Sequence, residues 1–366
     1  MAMKIPFVSL DRQYEELRSE LIGEFDRVGR SGIYIMGETL ESFELEAAAF
    51  CGTRFAVGLA NGSDALFLAL RALGIGPGDE VITCPNSFIA TAWTIVATGA
   101  TPVFVDAKDD YNIDPDKISK SITTKTRAIM PVHLTGRIAD MDAINSIAEK
   151  HNLSVIEDAA QALGAEYKNK RAGSFGAVGC FSLHPLKNLG VYGDGGLLTT
   201  DREDIYRQIL KLRNHGLINR DECELWGYNS RLDTLQAAFA SIKLRRLDQW
   251  NARYREIAAY YRDTLSNYVW VPRDQSYEKS VYHNFVIRTP KRDSLRVYLD
   301  KHGVETRIHY PIPIHLQRSA QTMGHKKGDF PVVESQVETM LSLPIFPELR
   351  DDEMRHVAET IKSFNF

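Results

Sequence analysis

The sequence is short of most features that would place it in a specialised class. Its four cysteines, Cys51, Cys84, Cys180 and Cys223, fall without C-x-x-C spacing. Cys84 and Cys180 sit in apolar strand patterns and read as small core residues, which fits a reducing compartment. The ten histidines form no H-E-x-x-H or paired motif, so no metal ion is expected. Neither sign of charge is in large excess: 44 Lys and Arg against 48 Asp and Glu give a net charge of −4. A nucleic-acid partner is therefore not expected, since that needs a basic face. The small basic clusters at Lys243, Arg245 and Arg246, and at Lys326 and Lys327, read as solvated surface. No apolar run approaches the about 20 residues of a membrane span, so no membrane partner is expected either. The opening MAMKIPFVSL lacks a signal-peptide core, and the expected location is the cytoplasm. Internal repeats and low-complexity tracts are also missing.

What is present is an ordinary globular composition, 44% hydrophobic and 25% charged over 366 residues, long enough for two domains. Helical periodicity covers 14–28 and 40–50, joined by the apolar link Ser31-Gly-Ile-Tyr-Ile-Met-Gly. From residue 55 strands and helices alternate. Strands are predicted at 55–60, 80–84, 101–106, 126–132 and 153–157. Asn61-Gly62-Ser63-Asp64 opens a helix through Leu73, and further helices are predicted at 88–98, 114–122 and 140–150. Two more strands flank Lys187, and a helix follows at 204–213. Such alternation implies a mostly parallel sheet covered on both faces. A long helical pattern without proline or glycine runs over 233–265. Beyond it, strands are predicted at 282–288 and 304–308, and helices at 292–302, 332–341 and 351–364. The fold class is α/β: a large domain with an N-terminal arm over residues 1–245, and a small α+β domain over 246–366.

The stretch 181–200, FSLHPLKNLGVYGDGGLLTT, holds the residue best placed for chemistry. Lys187 lies between two apolar runs, after Pro185 and before Gly190, Gly193, Gly195 and Gly196. A lysine held between core strands loses its water, and desolvation disfavours its charged form. The neutral amine is the nucleophile that forms a Schiff base with a carbonyl. An isolated lysine is ordinarily a solvated side chain; the flanking strands and glycines set this one apart.

In open α/β sheets, ligands bind beyond the carboxyl ends of the strands. Residues found there are candidate partners for Lys187. Gly62 lets the backbone approach closely, and Ser63 and Asp64 present helix-terminal N–H groups to an anion. The plainer alternative is that Ser63 only caps the helix. Phe88, at a helix start, offers an aromatic face to a planar ring, or is a core aromatic. Asp158 leaves a buried strand and is costly there unless paired. It can pair with a protonated pyridine nitrogen, or cap the turn AAQAL. Gln161 lies one turn further on. Ser182 ends the strand before Lys187 and can bond a phosphate oxygen. His184 is a second acid/base or only a pocket residue. An amine, an acid, an aromatic face and an anion site along one sheet edge form the inventory for pyridoxal 5′-phosphate. Lys187 would hold the cofactor and move the proton, while Asp158 kept the pyridine nitrogen protonated.

These residues lie in motifs with a fixed order: NGSDALFLAL (61–70), EVITCPNSFIATA (80–92), PVHLTG (131–136), IEDAAQALGA (156–165), FSLHPLKNLGVYGDGG (181–196), GYNSRLDTLQAA (227–238) and RIHYPIPIHLQ (307–317). In this order and spacing the chain resembles, over nearly its whole length, the DegT/StrS family of sugar aminotransferases. Those enzymes use pyridoxal phosphate on the aspartate-aminotransferase-like fold, fold type I. The resemblance implies that Lys187 is the Schiff-base lysine, Asp158 the partner of the pyridine nitrogen and Gln161 the neighbour of the ring hydroxyl. It implies Phe88 as the stacking aromatic, and Gly62, Ser63 and Ser182 as phosphate ligands. Asn229 matches an asparagine that reaches the cofactor phosphate of the neighbouring subunit, which implies a homodimer with shared active sites. His309 and Tyr310 match a segment near the substrate; His184 is a candidate substrate contact only from its place beside Lys187. Two segments depart from the pattern. Thr135 stands where many members carry tyrosine. His184 and Leu186 stand where members acting on 3-keto sugars often carry tyrosine and a small residue. The segment IHYPIPIHLQ, in contrast, is similar to the 3-amino group of these enzymes.

The function expected from the resemblance is transamination of a keto sugar on a nucleotide-linked deoxyhexose, 3-keto favoured over 4-keto, with glutamate as donor. The same cofactor would serve a keto-cyclitol or a sugar not linked to a nucleotide. A pyridoxal-phosphate-dependent sugar dehydratase is disfavoured by Lys187, because related dehydratases carry histidine there. A nicotinamide oxidoreductase would need G-x-G-x-x-G between a strand and a helix, and Gly74-Ile-Gly-Pro-Gly follows a helix and precedes a strand. A regulator without chemistry would predict a lost lysine or an added DNA-binding module.

Overall fold

The computed structural model describes residues 3–366. Two helices, α1 (Leu10–Ser31) and α2 (Glu38–Cys51), precede the first strand, β1 (Phe55–Leu59). Then α3 (Gly62–Ala72), β2 (Glu80–Thr83), α4 (Ala90–Ala97), β3 (Thr101–Phe104), α5 (Pro115–Ser121), β4 (Thr126–Ile129), α6 (Met141–His151) and β5 (Ser154–Asp158) alternate. A short hairpin, β6 (Glu166–Tyr167) and β7 (Lys170–Arg171), comes before β8 (Val178–Ser182), β9 (Gly196–Thr200) and α7 (Glu203–Leu212). Two helices, α8 (Thr234–Leu244) and α9 (Leu247–Leu265), lead to β10 (Glu278–Lys279), β11 (Phe285–Arg288), α10 (Arg292–Lys301), α11 (Pro331–Thr339), β12 (Met340–Leu343) and α12 (Asp351–Lys362).

Seven strands form one sheet in the order β1-β9-β8-β5-β4-β2-β3. β9 runs antiparallel to both neighbours, and the remaining pairs are parallel. β1 therefore points the same way as β8, and six strands end at one edge. Side chains alternate between the two faces of a strand, and the sequence fills both faces with apolar residues. Val57, Val81, Ile156, Cys180 and Leu198 pack with Leu66, Leu70, Ile205 and Ile209 of α3 and α7. Their neighbours Ala56, Ile82, Val155, Phe181 and Leu197 pack on the other face with Phe43, Ile144 and Ala240 of α2, α6 and α8. Each large apolar side chain so buried contributes about 1.5–3 kcal/mol before entropy is counted.

The C-terminal part has its own cluster. β11 and β12 pair antiparallel, and Tyr261, Phe285, Leu299 and Val357 bring α9, α10 and α12 onto them. The start of the chain joins this cluster. Ile5 is buried there, donates to Gly303 O at 2.7 Å and accepts from Glu305 N at 3.0 Å.

Several elements differ from the sequence expectation. The pattern over 233–265 is two helices, because the helical ladder is interrupted by a turn at Arg245 and Arg246, although both keep right-handed helical backbone angles; apolar periodicity runs through the break and hides it. The helix expected over 332–341 stops at Thr339. Met340–Leu343 are all buried and pair with β11, so tertiary pairing overrides the helical period. No continuous strand forms at 304–308, where Val304 and Arg307 make single bridges to Ile5 and Ser342. Lys243, expected on a solvated face, is 3% exposed and donates to Gly190 O at 2.6 Å. Burial lowers its amine to about 8. No helix among the described residues is long and apolar enough to cross a membrane.

Candidate active site

The register of β9 builds one half of the site. Gly196 lies opposite Leu59 of β1 and Ser182 of β8. The loop after β1 is thereby pressed against the end of β8. A Cβ on Gly196 would sit 2.2 Å from Asn61 O, and one on Gly62 would sit 2.7 Å from Ser182 Cβ. Only glycine permits both approaches. The cap of α3 is Asn61, not Ser63: the Asn61 side chain accepts from Asp64 N at 2.8 Å. Asp64 is thus removed from the expected anion donors. The N–H groups of Gly62 and Ser63 have no partner among the described residues. Ser182 Oγ accepts from His184 N at 3.3 Å, which leaves its own proton to donate.

The chain from Ser182 to Gly196 doubles back. Leu183 N donates to Gly195 O and Val191 N to Leu183 O, both at 2.8 Å. Lys187 sits in the turn, with its N–H on His184 O at 2.8 Å. Its amine has no hydrogen-bond or ion-pair partner among the described residues. Burial brings the amine from 10.5 down to about 8, with Asp158 pulling the other way. At pH 7 about a tenth of it is neutral.

Asp158 ends β5, the parallel neighbour of β8, and its backbone pairs with Cys180. The carboxylate is 4% exposed. Thr91 Oγ1 donates to its Oδ2 at 2.7 Å, and Ala160 N to its Oδ1 at 3.3 Å. Thr91 has spent its proton on Asp158, so the 2.8 Å contact between Ser87 and Thr91 has Ser87 as donor. Burial raises the carboxyl's affinity for a proton, against the two hydrogen bonds and Lys187.

Gln161 ties this edge to a strap from the C-terminal part. Its Oε1 accepts from Thr135 N at 2.7 Å, and its Nε2 donates to Tyr310 OH at 3.2 Å. The strap is pinned by Ile314 N on Pro85 O at 2.7 Å. Phe88 lies just before α4, 54% exposed, with its ring centroid 5.8 Å from that of Tyr310. Burial raises the Tyr310 phenol to about 12. His309 Nδ1 meets Ser342 Oγ at 3.0 Å, and burial, with the charges of Lys187 and Arg307, lowers its imidazole to about 4. Both groups are neutral donors and acceptors at pH 7.

The structure thus gathers Gly62, Ser63, Ser182, Lys187, Asp158, Gln161, Phe88, His309 and Tyr310 at one edge of the sheet and under the strap. His184 is exposed, and its Nδ1 accepts from Leu186 N at 3.3 Å. Asn229 is exposed on a separate loop, where its backbone bridges to Asn214. Two groups here went unnoticed in the sequence. Thr91 lies within the motif EVITCPNSFIATA (80–92), inside a helix, where nothing marks it as a partner of Asp158. His283 stands as a lone histidine in an apolar run. Burial, then the charges of Lys187 and His309, holds its imidazole well below the usual range, and its Nδ1 is buried without a partner. It arrives because Gly136, at φ 96°, lets the 133–137 turn pack on residues 281–283. A Cβ there would sit 2.9 Å from His283 N.

These groups fit pyridoxal phosphate. The Gly62 cradle and its free N–H groups suit a phosphate, Asp158 suits a ring N–H, and Lys187 offers an unpaired amine to a carbonyl.

The sequence matches the DegT/DnrJ/EryC1/StrS aminotransferase family over residues 15–362. A relative from Aneurinibacillus thermoaerophilus, named dTDP-3-amino-3,6-dideoxy-alpha-D-galactopyranose transaminase, is 44% identical over 99% of this chain and 100% of its own. One from Geobacillus stearothermophilus, named pleiotropic regulatory protein, is 42% identical over 99% of both chains. Among solved structures, the crystal structure of S. venezuelae DesV superposes with a TM-score of 0.96 at 44% identity, covering 98% of each chain. That of ntda from Bacillus subtilis, with bound cofactor PMP, has a TM-score of 0.92 at 31% identity, covering 98% of this chain and 84% of that one. The α/β fold expected from the sequence is the fold of these proteins.

Proposed function

The chain belongs to the DegT/DnrJ/EryC1/StrS aminotransferase family, and from that premise we propose that Lys187 serves the amination of a keto carbon on a nucleotide-linked deoxyhexose, carbon 3 favoured over carbon 4. One observation carries this reading: a half-buried lysine whose crowded amine is lowered to about 8 and has no partner, on the same sheet edge as the buried carboxylate of Asp158. The Aneurinibacillus relative's name supports the nucleotide and carbon 3.

Pyridoxal 5′-phosphate is the proposed cofactor; bound, it supplies a ring that takes up the electrons released when a C–H bond beside nitrogen loses its proton. Lys187 would hold it through Nζ. Asp158 would keep a proton on the ring nitrogen, and a cationic N–H beside it would restore the charge that burial disfavours. Thr91 and Ala160 fix that carboxylate's orientation. Gly62 and Ser63 N–H and the Ser182 hydroxyl would bind the phosphate, with about 0.3–1 kcal/mol from the α3 dipole. Phe88 would cover one ring face, and Gln161 would meet the ring hydroxyl. The Lys187 amine, part neutral at pH 7, is suited to take a proton from carbon and return it. His309, Tyr310 and His184 would face the substrate. Glutamate as donor, and Asn229 of a second copy reaching the phosphate in a homodimer with shared sites, follow from the family resemblance. The exposure of Asn229 is consistent with that reach.

The test offers dTDP-linked 3-keto and 4-keto deoxyhexoses to the protein with glutamate and the cofactor, and reads amine formation by mass spectrometry. The 3-keto sugar should be aminated, and Lys187→Ala should form no product. Amination by Lys187→Ala would contradict the mechanism. Amination of the 4-keto sugar alone would move the carbon. No turnover of any keto sugar would favour the regulatory role named for the Geobacillus relative.

A further inference from the structure

Asn188 directly follows Lys187. Its Nδ2 donates to Asn251 Oδ1 and to Val281 O, both at 3.0 Å. Asn251, on α9, turns its own Nδ2 to Leu163 O at 3.1 Å. The two side chains are 6% and 1% exposed. Asn251 therefore touches both the Lys187 loop and the turn that carries Asp158 and Gln161. Through Val281, Asn188 also holds the segment that carries His283. The fit is close, since a Cβ on Gly164 would sit 2.5 Å from Asn251 Nδ2.

An apolar pair would fill this volume more cheaply. Buried amides lose water, and each hydrogen bond returns only about 1 kcal/mol net. Asn188 Oδ1 even stays buried without a partner. What the amides add is direction. They fix the loop at the residue next to Lys187, in a place where leucine would fix nothing.

We propose that Asn188 and Asn251 are positioning residues for Lys187: the amide pair sets the direction in which the lysine leaves its turn and keeps its amine enclosed beside Asp158. The proposal rests on the reading of Lys187 given above. Neither asparagine touches the reacting atoms. With the pair broken the turn rotates, the amine reaches water, and its ordinary basicity returns.

The experiment uses the cofactor-free protein and the variants Asn188→Ala and Asn251→Leu, singly and together. Trinitrobenzenesulfonate labelling of Lys187 is followed against pH by peptide mass, beside the melting temperature. At pH 7 the wild-type amine should label about tenfold faster than that of a variant for each unit by which its basicity is restored. The double variant should label no more slowly than the more affected single. In the loaded enzyme kcat should fall while KM for the sugar holds. A purely structural pair would lower the melting temperature and leave the labelling profile unmoved, and that result in folded variants overturns the proposal. If Asn251→Leu does not fold, Asn188→Ala decides alone, since it removes the same link from the loop side. Labelling needs no cofactor, so its outcome is separate from whether Lys187→Ala abolishes turnover.

Discussion

Lys187 titrates near 8 in the folded chain against an ordinary 10.5, and this couples folding to pH. Between the two values the unfolded chain binds a proton that the folded chain does not. Stability therefore rises with pH across that window, and the full penalty applies below it. Lys243, also near 8 through burial, adds a second contribution of the same sign. The melting temperature of the cofactor-free protein should rise between pH 8 and 9.5. Lys187→Met and Lys243→Met should each flatten the rise, and an unchanged slope in both would contradict burial as its origin. Asp158→Asn keeps a side-chain oxygen for Thr91 but cannot carry charge. Its turnover should fall by on the order of 10²-fold or more in steady-state kinetics, with a smaller effect on melting. The placement of Lys187, Asp158 and Phe88 was legible because each follows an apolar strand run, and strand ends in such sheets face one edge. Thr91 and His283 were not. Their proximity depends on the orientation of α4 and on the packing of the Gly136 turn against residues 281–283; the motifs that hold Thr91 and Gly136 do not show which side chains they bring together.

The contact of α3 with β8 is the element on which the anion site depends. Gly62→Ala would drive a Cβ to 2.7 Å from Ser182 Cβ, and backbone on both sides resists. The expected cost is about 1–3 kcal/mol of stability, with weaker retention of pyridoxal phosphate in equilibrium dialysis. Wild-type affinity in this variant would show that the close approach is not needed. The alternation of β and α was readable from residue 55 to 213 because most large-sheet strands carry a buried apolar run. Legibility failed where pairing, not period, decides. Met340 and Leu341 read as the end of a helix until β11 is present to pair with Met340–Leu343. The turn at Arg245 and Arg246 interrupts no apolar face.

At the level of the whole molecule, α4 leaves an apolar face open. Ile89, Trp93 and Val96 are 37%, 51% and 55% exposed at helical spacing, directly after Phe88. Contiguous apolar surface of this kind marks an interaction site. We propose that a second copy of the chain would cover it in the homodimer, and that the exposed Asn229 would face the same partner. Trp93→Glu should shift the protein toward monomer in sedimentation equilibrium and lower turnover with it; an intact dimer would exclude α4 from the interface. We propose that the large and small units divide at 245/246, in the turn between α8 and α9. The central claim remains the amine of Lys187, and one measurement tests it most directly. The protein is loaded with pyridoxal phosphate, reduced with borohydride, and mapped by peptide mass, with and without prior glutamate. The expected result is the pyridoxyl mass on the peptide containing Lys187, and its loss when glutamate comes first. A label on another residue, or none, would contradict the role of Lys187, and a Lys187 label indifferent to glutamate would contradict the donor.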